Sequence, residues 1–414
     1  MGVTNDAFDQ PVVQTKELIH RYGLGLLFAA NIFGAGSVYI LTEAAVGFGF
    51  SLLWVLPLAL VTGLIMHEMS ARLAATDRPL MTYIRDVIGD TAAKPFALFI
   101  AFIMQFWSVA NYALAGAAVV YLTGLTNLYI GTILMGALGL ALVELRVYNR
   151  IEGVVAALVL AIFGSYLVIL LGLDLPLGAV TSGFVPSIVS EYGYLTMIIA
   201  LLGTTVYYPN FFIQTSMNGE KDWDEVSKYR RDHTFGLTAV IGLSIAVLAV
   251  AAMAVSGEQM SLTLTSPAEP LVDALGPWVL DVFVIGVGAA CFTSATGTLF
   301  GAGFMVPQAY GHKTRFGDYH FRLTVHALIA LSIVLALPIL AFTDFTPVYL
   351  AVTMPALNGV IGLPITALAL YAATNRYFDP SLIEKTVFLA VVIVMLVGSL
   401  LTAQDLAGTI AGFI

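Results

Sequence analysis

Long apolar segments, most of about 20 residues or more, alternate along this chain with short polar connections. Each is long enough to cross a hydrocarbon core of about 30 Å as a helix. About eleven such spans can be placed. They run over Leu24–Val46, Ser51–Ala71, Pro95–Leu122, Leu128–Leu145, Val154–Leu173 and Leu195–Met217. The remainder run over Phe235–Val255, Val279–Val306, Leu323–Phe342, Val348–Ala372 and Val387–Leu401. All 17 Lys and Arg then fall before span one or in every second connection, among them Arg72, Arg146, Lys221, Arg230, Arg315 and Lys385. The opposite connections hold Asp174, Glu191, Glu258, Asp273 and Asp344, with Asp405 beyond the last span, and no basic residue. One missed span would scramble that alternation. It predicts a cytoplasmic N-terminus, an external C-terminus and a multi-pass protein of the cell membrane.

Composition agrees, since 59% hydrophobic and 10% charged residues leave too little polar material to coat a soluble globule of 414 residues. Tightly alternating strands of the outer-membrane type are absent. The single Cys291 lies in an apolar run and reads as a small buried residue, which excludes a disulfide framework within one chain. Residues 1–22 mix Asp6, Asp9 and Glu17 with Lys16 and Arg21 and lack the basic start and small-residue cleavage site of a signal peptide. They read as a cytoplasmic tail, followed by one transmembrane domain over 23–414. Pro79–Gly89 and Lys221–Arg231 read as short amphipathic helices, and Leu175–Tyr194 as a long external connection.

Two spans are interrupted. In the first, Asn31-Ile32-Phe33-Gly34-Ala35-Gly36-Ser37 puts small residues where lipid offers the backbone no substitute hydrogen bonds. In the sixth, Thr204-Thr205-Val206-Tyr207-Tyr208-Pro209-Asn210 contains a proline that removes a donor and clashes with the preceding turn. Broken helices at that depth are tolerated where they line a cavity. Spans one and six run in opposite directions, with 173 positions between Gly34 and Tyr207. Two inverted five-span repeats, roughly 23–175 and 190–375, with an extra helix at 385–403, predict an all-α secondary transporter with its site at the membrane midplane.

Three blocks carry a resemblance. Phe48-Gly49-Phe50-Ser51-Leu52-Leu53-Trp54, running on through His67-Glu68-Met69-Ser70-Ala71-Arg72-Leu73 to Ile84-Arg85-Asp86, resembles the second span and following loop of the Nramp divalent-metal transporters. Thr296-Gly297-Thr298-Leu299-Phe300-Gly301 resembles that family's eighth span, and Leu201-Leu202-Gly203-Thr204-Thr205-Val206 the approach to its sixth-span motif. The resemblance implies a LeuT-like fold with interrupted helices one and six. It also implies where the site departs from the family. The family's first-span Asp-Pro-Gly-Asn falls on Gly34-Ala35-Gly36-Ser37, and its sixth-span Met-Pro-His on Tyr207-Tyr208-Pro209, followed by Asn210. Acidic positions of the third span fall on Ala110 and Ala113. The resemblance therefore implies transport, while the residues for metal selection and proton movement are replaced.

What remains at the breaks is neutral oxygen. The expected substrate-binding residues are Gly34, Ala35, Gly36, Ser37, Thr204, Thr205, Tyr207, Tyr208 and Asn210, with Ser37, Tyr207 and Asn210 as metal contacts. Such donors suit a hard cation that keeps most of its water, as Mg2+ does, or an Mn2+-like ion without its thioether. Half-helix N-termini equally suit the carboxylate of an amino acid or similar small solute. A non-transporting receptor on the same fold is a third reading. Glu43 within span one, Glu68 near the end of span two and His326 in span nine are candidates for gating or coupling. Glu68 can also simply pair with Arg72 one turn on. His67-Glu68 is not half of a metalloprotease motif, because Arg72 stands near where the second His is needed. Gln105, Asn111 and Asn358 read as interhelical hydrogen-bond glue, and Trp107 and Tyr112 as packing. No nucleophile and base recur at catalytic spacing, so an enzyme is not expected, nor a cofactor or a nucleic-acid partner. The expected partners are the substrate and the lipid bilayer, with the protein a monomer.

Overall fold

The computed structural model describes residues 6–187, 192–254 and 263–411, and among these every regular element is helical. The first span is two helices, α1 (Asp6–Ile32) and α2 (Ala35–Phe48), whose axes diverge by 60°. The expected tail is therefore helical from Asp6 and continuous with span one. There follow α3 (Val55–Ala75), α4 (Leu80–Ile88), α5 (Asp90–Thr123), α6 (Leu128–Val143) and α7 (Tyr148–Leu171). The expected external connection holds a short helix, α8 (Leu177–Gly183). The sixth span is again two pieces, α9 (Tyr192–Thr205) and α10 (Pro209–Gln214). Next come α11 (Asn218–Lys221), α12 (Val226–Ala254), α13 (Val272–Leu275) and α14 (Trp278–Ala309). The chain closes with α15 (Tyr319–Phe342), α16 (Pro347–Tyr377) and α17 (Leu382–Ala411).

Among the described residues, eight unbroken helices are long and apolar enough to cross a membrane. The bent pair α1–α2 and the shorter apolar helices α6 and α9 make up the eleven expected spans. Large apolar side chains point outward along them, including Leu160, Leu171, Leu323, Val334 and Leu400, as a lipid solvent requires. The protein is a multi-pass membrane protein.

Local chemistry explains the ends. Asn127 caps α6 by accepting from the Tyr129 and Ile130 amides, and Pro209 and Pro347 occupy first-turn positions where a missing N–H costs nothing. Gly124 ends α5 in the left-handed region at φ 71°, where a Cβ would be strained. Close packing of α5 on α6 depends on small residues: a Cβ at Gly131 would lie 2.4 Å from the Gly116 carbonyl oxygen.

One expected element is different. Lys221–Arg231 is not a single amphipathic helix. Asp222, at φ 53°, stops α11 after Lys221, and the helix resumes at Val226 as the start of α12. The reason is that the Lys221 side chain is drawn inward, fully buried against Glu152, which a solvated surface helix would not allow. By contrast α4 matches its expectation, with Leu80, Met81, Tyr83 and Ile84 buried on one face.

The core is organised around the two breaks. Helix α5 packs along α14 and α16, while α1 packs on α12 and α7. Helix α14 also packs on α1 and α10, and α16 on α2, so both touch the pieces of the interrupted spans. Ala110 and Ala113 of α5, where the family's acidic residues were expected to be replaced, are fully buried in an apolar cluster with Leu350 of α16.

Candidate substrate site at the helix breaks

A helix that stops in a membrane leaves carbonyl oxygens without amide partners. Here hydroxyl groups take them. Past Ile32 the chain turns through Phe33 and an extended Gly34 (φ −116°, ψ −167°) before α2 begins. The Ser37 Oγ donates to the Ile32 carbonyl at 2.8 Å and Ser294 Oγ to the Asn31 carbonyl at 2.6 Å, while Thr293 Oγ1, 3.4 Å from the Ala30 carbonyl, lies nearer to its own helix, at 3.0 Å from the Ala289 and Ala290 carbonyls. Ser294 in turn accepts from Trp107 Nε1 at 2.7 Å. The Ser294 hydroxyl of α14 thus holds the end of α1. Gly34 sits against them: a Cβ there would lie 2.6 Å from Ser294 Oγ and 2.7 Å from Asn111 Oδ1.

The sixth-span break lies opposite. Tyr207 donates its hydroxyl hydrogen to Thr298, whose own hydroxyl donates to the Ser294 carbonyl at 2.6 Å. Tyr208 OH donates to Asn358 Oδ1 of α16 at 2.7 Å. The two breaks then meet through carboxamides. Asn31 Nδ2 donates to Asn210 Oδ1 at 2.9 Å, and Asn210 Nδ2 donates to the Phe28 carbonyl at 3.4 Å. Asn31 Oδ1 is buried without a partner. That is costly in a dry site, and the oxygen lies packed against Gly297 of α14, where a Cβ would stand 1.6 Å from it. A cavity of about 300 Å³ adjoins the sixth-span break, lined by Trp107, Tyr207, Tyr208 and Asn358, by Ser399 and Thr402 of α17, and otherwise by residues without polar side chains, most of them on α2, α9, α16 and α17.

Of the expected binding residues, Gly34, Ser37, Tyr207, Tyr208 and Asn210 are brought together at or beside the junction, all buried. Gly36 faces Pro355 of α16, 3.0 Å from where its Cβ would stand. Thr205 turns back to its own helix, donating to the Leu201 carbonyl at 3.1 Å. The side chains of Ala35 and Thr204 lie outside the described residues. Among the described residues no three His, Cys, Asp or Glu side chains gather as a metal would need, so the site is built from neutral oxygen.

The gating candidates lie away from it. Glu43 is exposed on α2, nine positions past Gly34. Glu68 accepts from Arg72 Nε at 3.3 Å and, bidentately, from Arg230 of α12 at 2.8 and 2.9 Å. His326 Nε2 lies 3.3 Å from Glu144 Oε1, with its side chain about one third exposed. The sequence reading did not assign Asn31, Ser294, Thr293 and Thr298 to the site. The signal available for them was polar side chains four positions apart, Ser294 and Thr298, in an apolar span.

Comparison with known proteins places this geometry. The family model described as natural resistance-associated macrophage protein-like, Nramp, matches residues 25–412. The chain is 27% identical over 305 residues to the divalent metal cation transporter MntH of Deinococcus radiodurans, covering 70% of this chain and 67% of that one. The crystal structure of a manganese transporter from Eremococcus coleocola, in complex with an aromatic bis-isothiourea compound, superposes with a TM-score of 0.78 at 15% identity, over 96% of this chain and 88% of that one. Mhp1, a nucleobase-cation-symport-1 family transporter solved closed with bromovinylhydantoin bound, follows at a TM-score of 0.60 and 14% identity, over 94% and 93%. The shared architecture is the LeuT-like fold. Since the family match runs from α1 into α17 and encloses both breaks, the chain belongs to the Nramp family.

Proposed function

We propose that this protein is a secondary transporter that carries a divalent metal cation through the junction of the two breaks, without proton cotransport. The observation that carries the reading is the Asn31–Asn210 carboxamide bridge with its unpartnered Asn31 oxygen. A neutral oxygen acceptor of this kind supports a dication that keeps part of its hydration shell, Mg2+ or Mn2+, because no carboxylate offsets full dehydration. Membership of the Nramp family and relatives named as divalent metal cation transporters point the same way. The apolar setting of Ala110 and Ala113 supports the absence of proton coupling, since a proton route needs titratable groups. On this reading the basic end of the bundle faces the cytoplasm, with one membrane domain per chain acting as a monomer.

Reconstitution into proteoliposomes with a pH dye in the lumen tests it. Uptake of Mg2+ or Mn2+ with no lumenal acidification is the expected result. Absence of flux for both ions overturns the cation reading, and acidification that tracks uptake overturns the uncoupled one.

A second reading rests on the cavity beside Tyr207 and Tyr208. Its volume and its aromatic lining, with Asn358 among few polar groups, suit a small organic solute. Stabilisation by amino acids or carboxylates, in a protein that divalent ions leave unshifted, would favour it.

A further inference from the structure

Helices α5 and α14 present Trp107 and Ser294 to the end of α1. Further along, the same pair encloses a second cavity with α6 and α7, a groove of about 550 Å³. Helix α5 gives it a stripe from Ala115 to Leu122 and α14 one from Ile285 to Phe292, each at i, i+3, i+4 and i+7, while α7 adds Val154 and Leu158. Among the described residues that line it, none has a polar side chain. The floor forms where α5 and α14 meet through small residues: a Cβ at Gly288 would lie 2.9 Å from the Ala118 Cβ. The rim is open. Leu138 of α6 is 52% exposed and Ile285 47%, so the groove faces the lipid solvent.

Its shape limits what can fill it. The lining runs from Leu122, one position before the end of α5, to Leu145, two positions past the end of α6. That is the full length of α6, whose 16 residues extend over about 24 Å. Spread over that length, the volume is a cross-section of roughly 25 Å², against roughly 80 Å² for an α-helix 10 Å across. A helix of a second copy does not enter such a groove. A single hydrocarbon chain does.

Lipid tails are as apolar as the lining, so burial alone gives a chain no preference for the groove over the bulk bilayer. The preference comes from the basic end. Arg150 lies one turn before Val154 and two before Leu158, on the stripe of α7 that lines the groove. It is exposed and makes no ion pair among the described residues, and helical side chains lean toward the start of their helix, here toward the headgroups. Arg146 and Arg322 share Glu144 beside it, so this corner holds three guanidinium groups and one carboxylate.

We infer that the groove is a site for an anionic phospholipid of the leaflet at the basic end, with one acyl chain lying between α5, α6, α7 and α14 and its phosphate against Arg150. The inference does not depend on what the protein transports. A guanidinium pairs its N–H donors with phosphate oxygens, whereas a zwitterionic headgroup brings its own cation to the same corner.

Native mass spectrometry of the full-length protein in mild detergent, incubated with phosphatidylglycerol or with phosphatidylcholine of identical chains, tests this. Wild type should retain one phosphatidylglycerol with an affinity about fivefold or more above that for phosphatidylcholine, the factor one basic residue near the headgroup supplies. Arg150→Gln should remove the preference. Lys385→Gln should keep it, because α17 packs on α16, α9 and α3. Ala141→Phe, which fills the groove from the exposed face of α6, should lower retention of both lipids. Arg150 and Ala141 are both exposed, so neither change removes a buried contact, and the wild-type comparison needs no variant. Equal retention of the two lipids by wild type overturns the inference, as does a preference that survives in Arg150→Gln or is lost equally in Lys385→Gln. Retention unchanged in Ala141→Phe puts the lipid elsewhere and overturns the groove as its site. A dimer that Ala141→Phe dissolves gives the groove to a second copy and overturns it as well.

Discussion

Asn31 and Asn210, separated by 179 positions, join the two interrupted helices through a 2.9 Å hydrogen bond between their carboxamides. Each is buried, and each belongs to one of the two inverted repeats. The bond leaves so little room that a Cβ on Gly297 of α14 would stand 1.6 Å from Asn31 Oδ1. The glycine is there because the backbone of α14 approaches the junction closely, and the same approach lets Ser294 and Thr298 reach the freed carbonyls and Tyr207.

Restoring a carboxylate at Gly34 tests how full the junction is. With Ser294 and Asn111 within 2.7 Å of the built Cβ, Gly34→Asp must displace both, and overpacking of this kind costs about 1–3 kcal/mol. The single variant should unfold at lower temperature in detergent. Combining it with Ser294→Gly should recover part of that loss and raise Mn2+ affinity, because a carboxylate offsets more of a dication's dehydration than neutral oxygen does. Equal unfolding temperatures for wild type and Gly34→Asp would show that the built Cβ does not meet those side chains.

The eleven spans and the places where two of them break were legible, because hydropathy, basic-residue alternation and the Gly34–Ser37 and Tyr207–Asn210 stretches are local signals. What satisfies the breaks was not. Ser294 acts on a carbonyl 263 positions away, and a hydroxyl in an apolar span reads the same whether it holds a neighbouring helix or its own turn. Thr205 makes the point from the other side, being a hydroxyl at a break that bonds only its own helix. Lys221 was misread for a related reason: in sequence a buried, paired lysine cannot be told from a solvated one.

At the basic end, Glu68 gathers Arg72 of its own helix and Arg230 of α12, while Arg72 also pairs with Glu384 of α17. The pairs are partly exposed, so each contributes at most about 1 kcal/mol. That is still enough to shift an opening equilibrium about fivefold. Arg230→Ala should leave the unfolding temperature nearly unchanged and raise the thiol-labelling rate of a Gln214→Cys reporter between α3 and α12. Cys291 is buried and contributes no background. Labelling that is slower or unaltered would remove these pairs from any closing role.

Glu144, just past α6, accepts from Arg146 at 2.7 and 2.9 Å and faces Arg322 and His326 of α15. Its bond to Arg146 first, and then the neighbouring cations, hold its carboxyl below the ordinary value of 4.5. A carboxyl with a depressed folded-state value stabilises above its unfolded value and loses that contribution as pH falls through the folded one. The tie should therefore be intact at neutral pH and weaken below pH 4.5. Unfolding temperatures measured across that range should fall more steeply for wild type than for Glu144→Gln. Parallel curves would mean that the carboxyl is equally placed in both states.

The ammonium of Lys221 and the carboxylate of Glu152 are both buried and paired, at the point where α1, α7 and α11 converge. Lys221 also donates to the His20 carbonyl at 2.8 Å, and its charge lies 5.1 Å from the ring centres of Tyr148 and Trp223. Gly23 makes room for the acid, since a Cβ there would stand 2.1 Å from Glu152 Cδ. Removing one partner of such a pair strands the other charge in a dry setting, at a cost of about 3–5 kcal/mol, while replacing both by apolar groups of similar volume is nearly neutral. Lys221→Met should accordingly lower stability to unfolding in mixed micelles by that amount, and Lys221→Met with Glu152→Leu should recover most of it. If the double variant is as unstable as the single one, the lysine matters through its bond to His20 and its ring contacts, and the pairing with Glu152 is incidental.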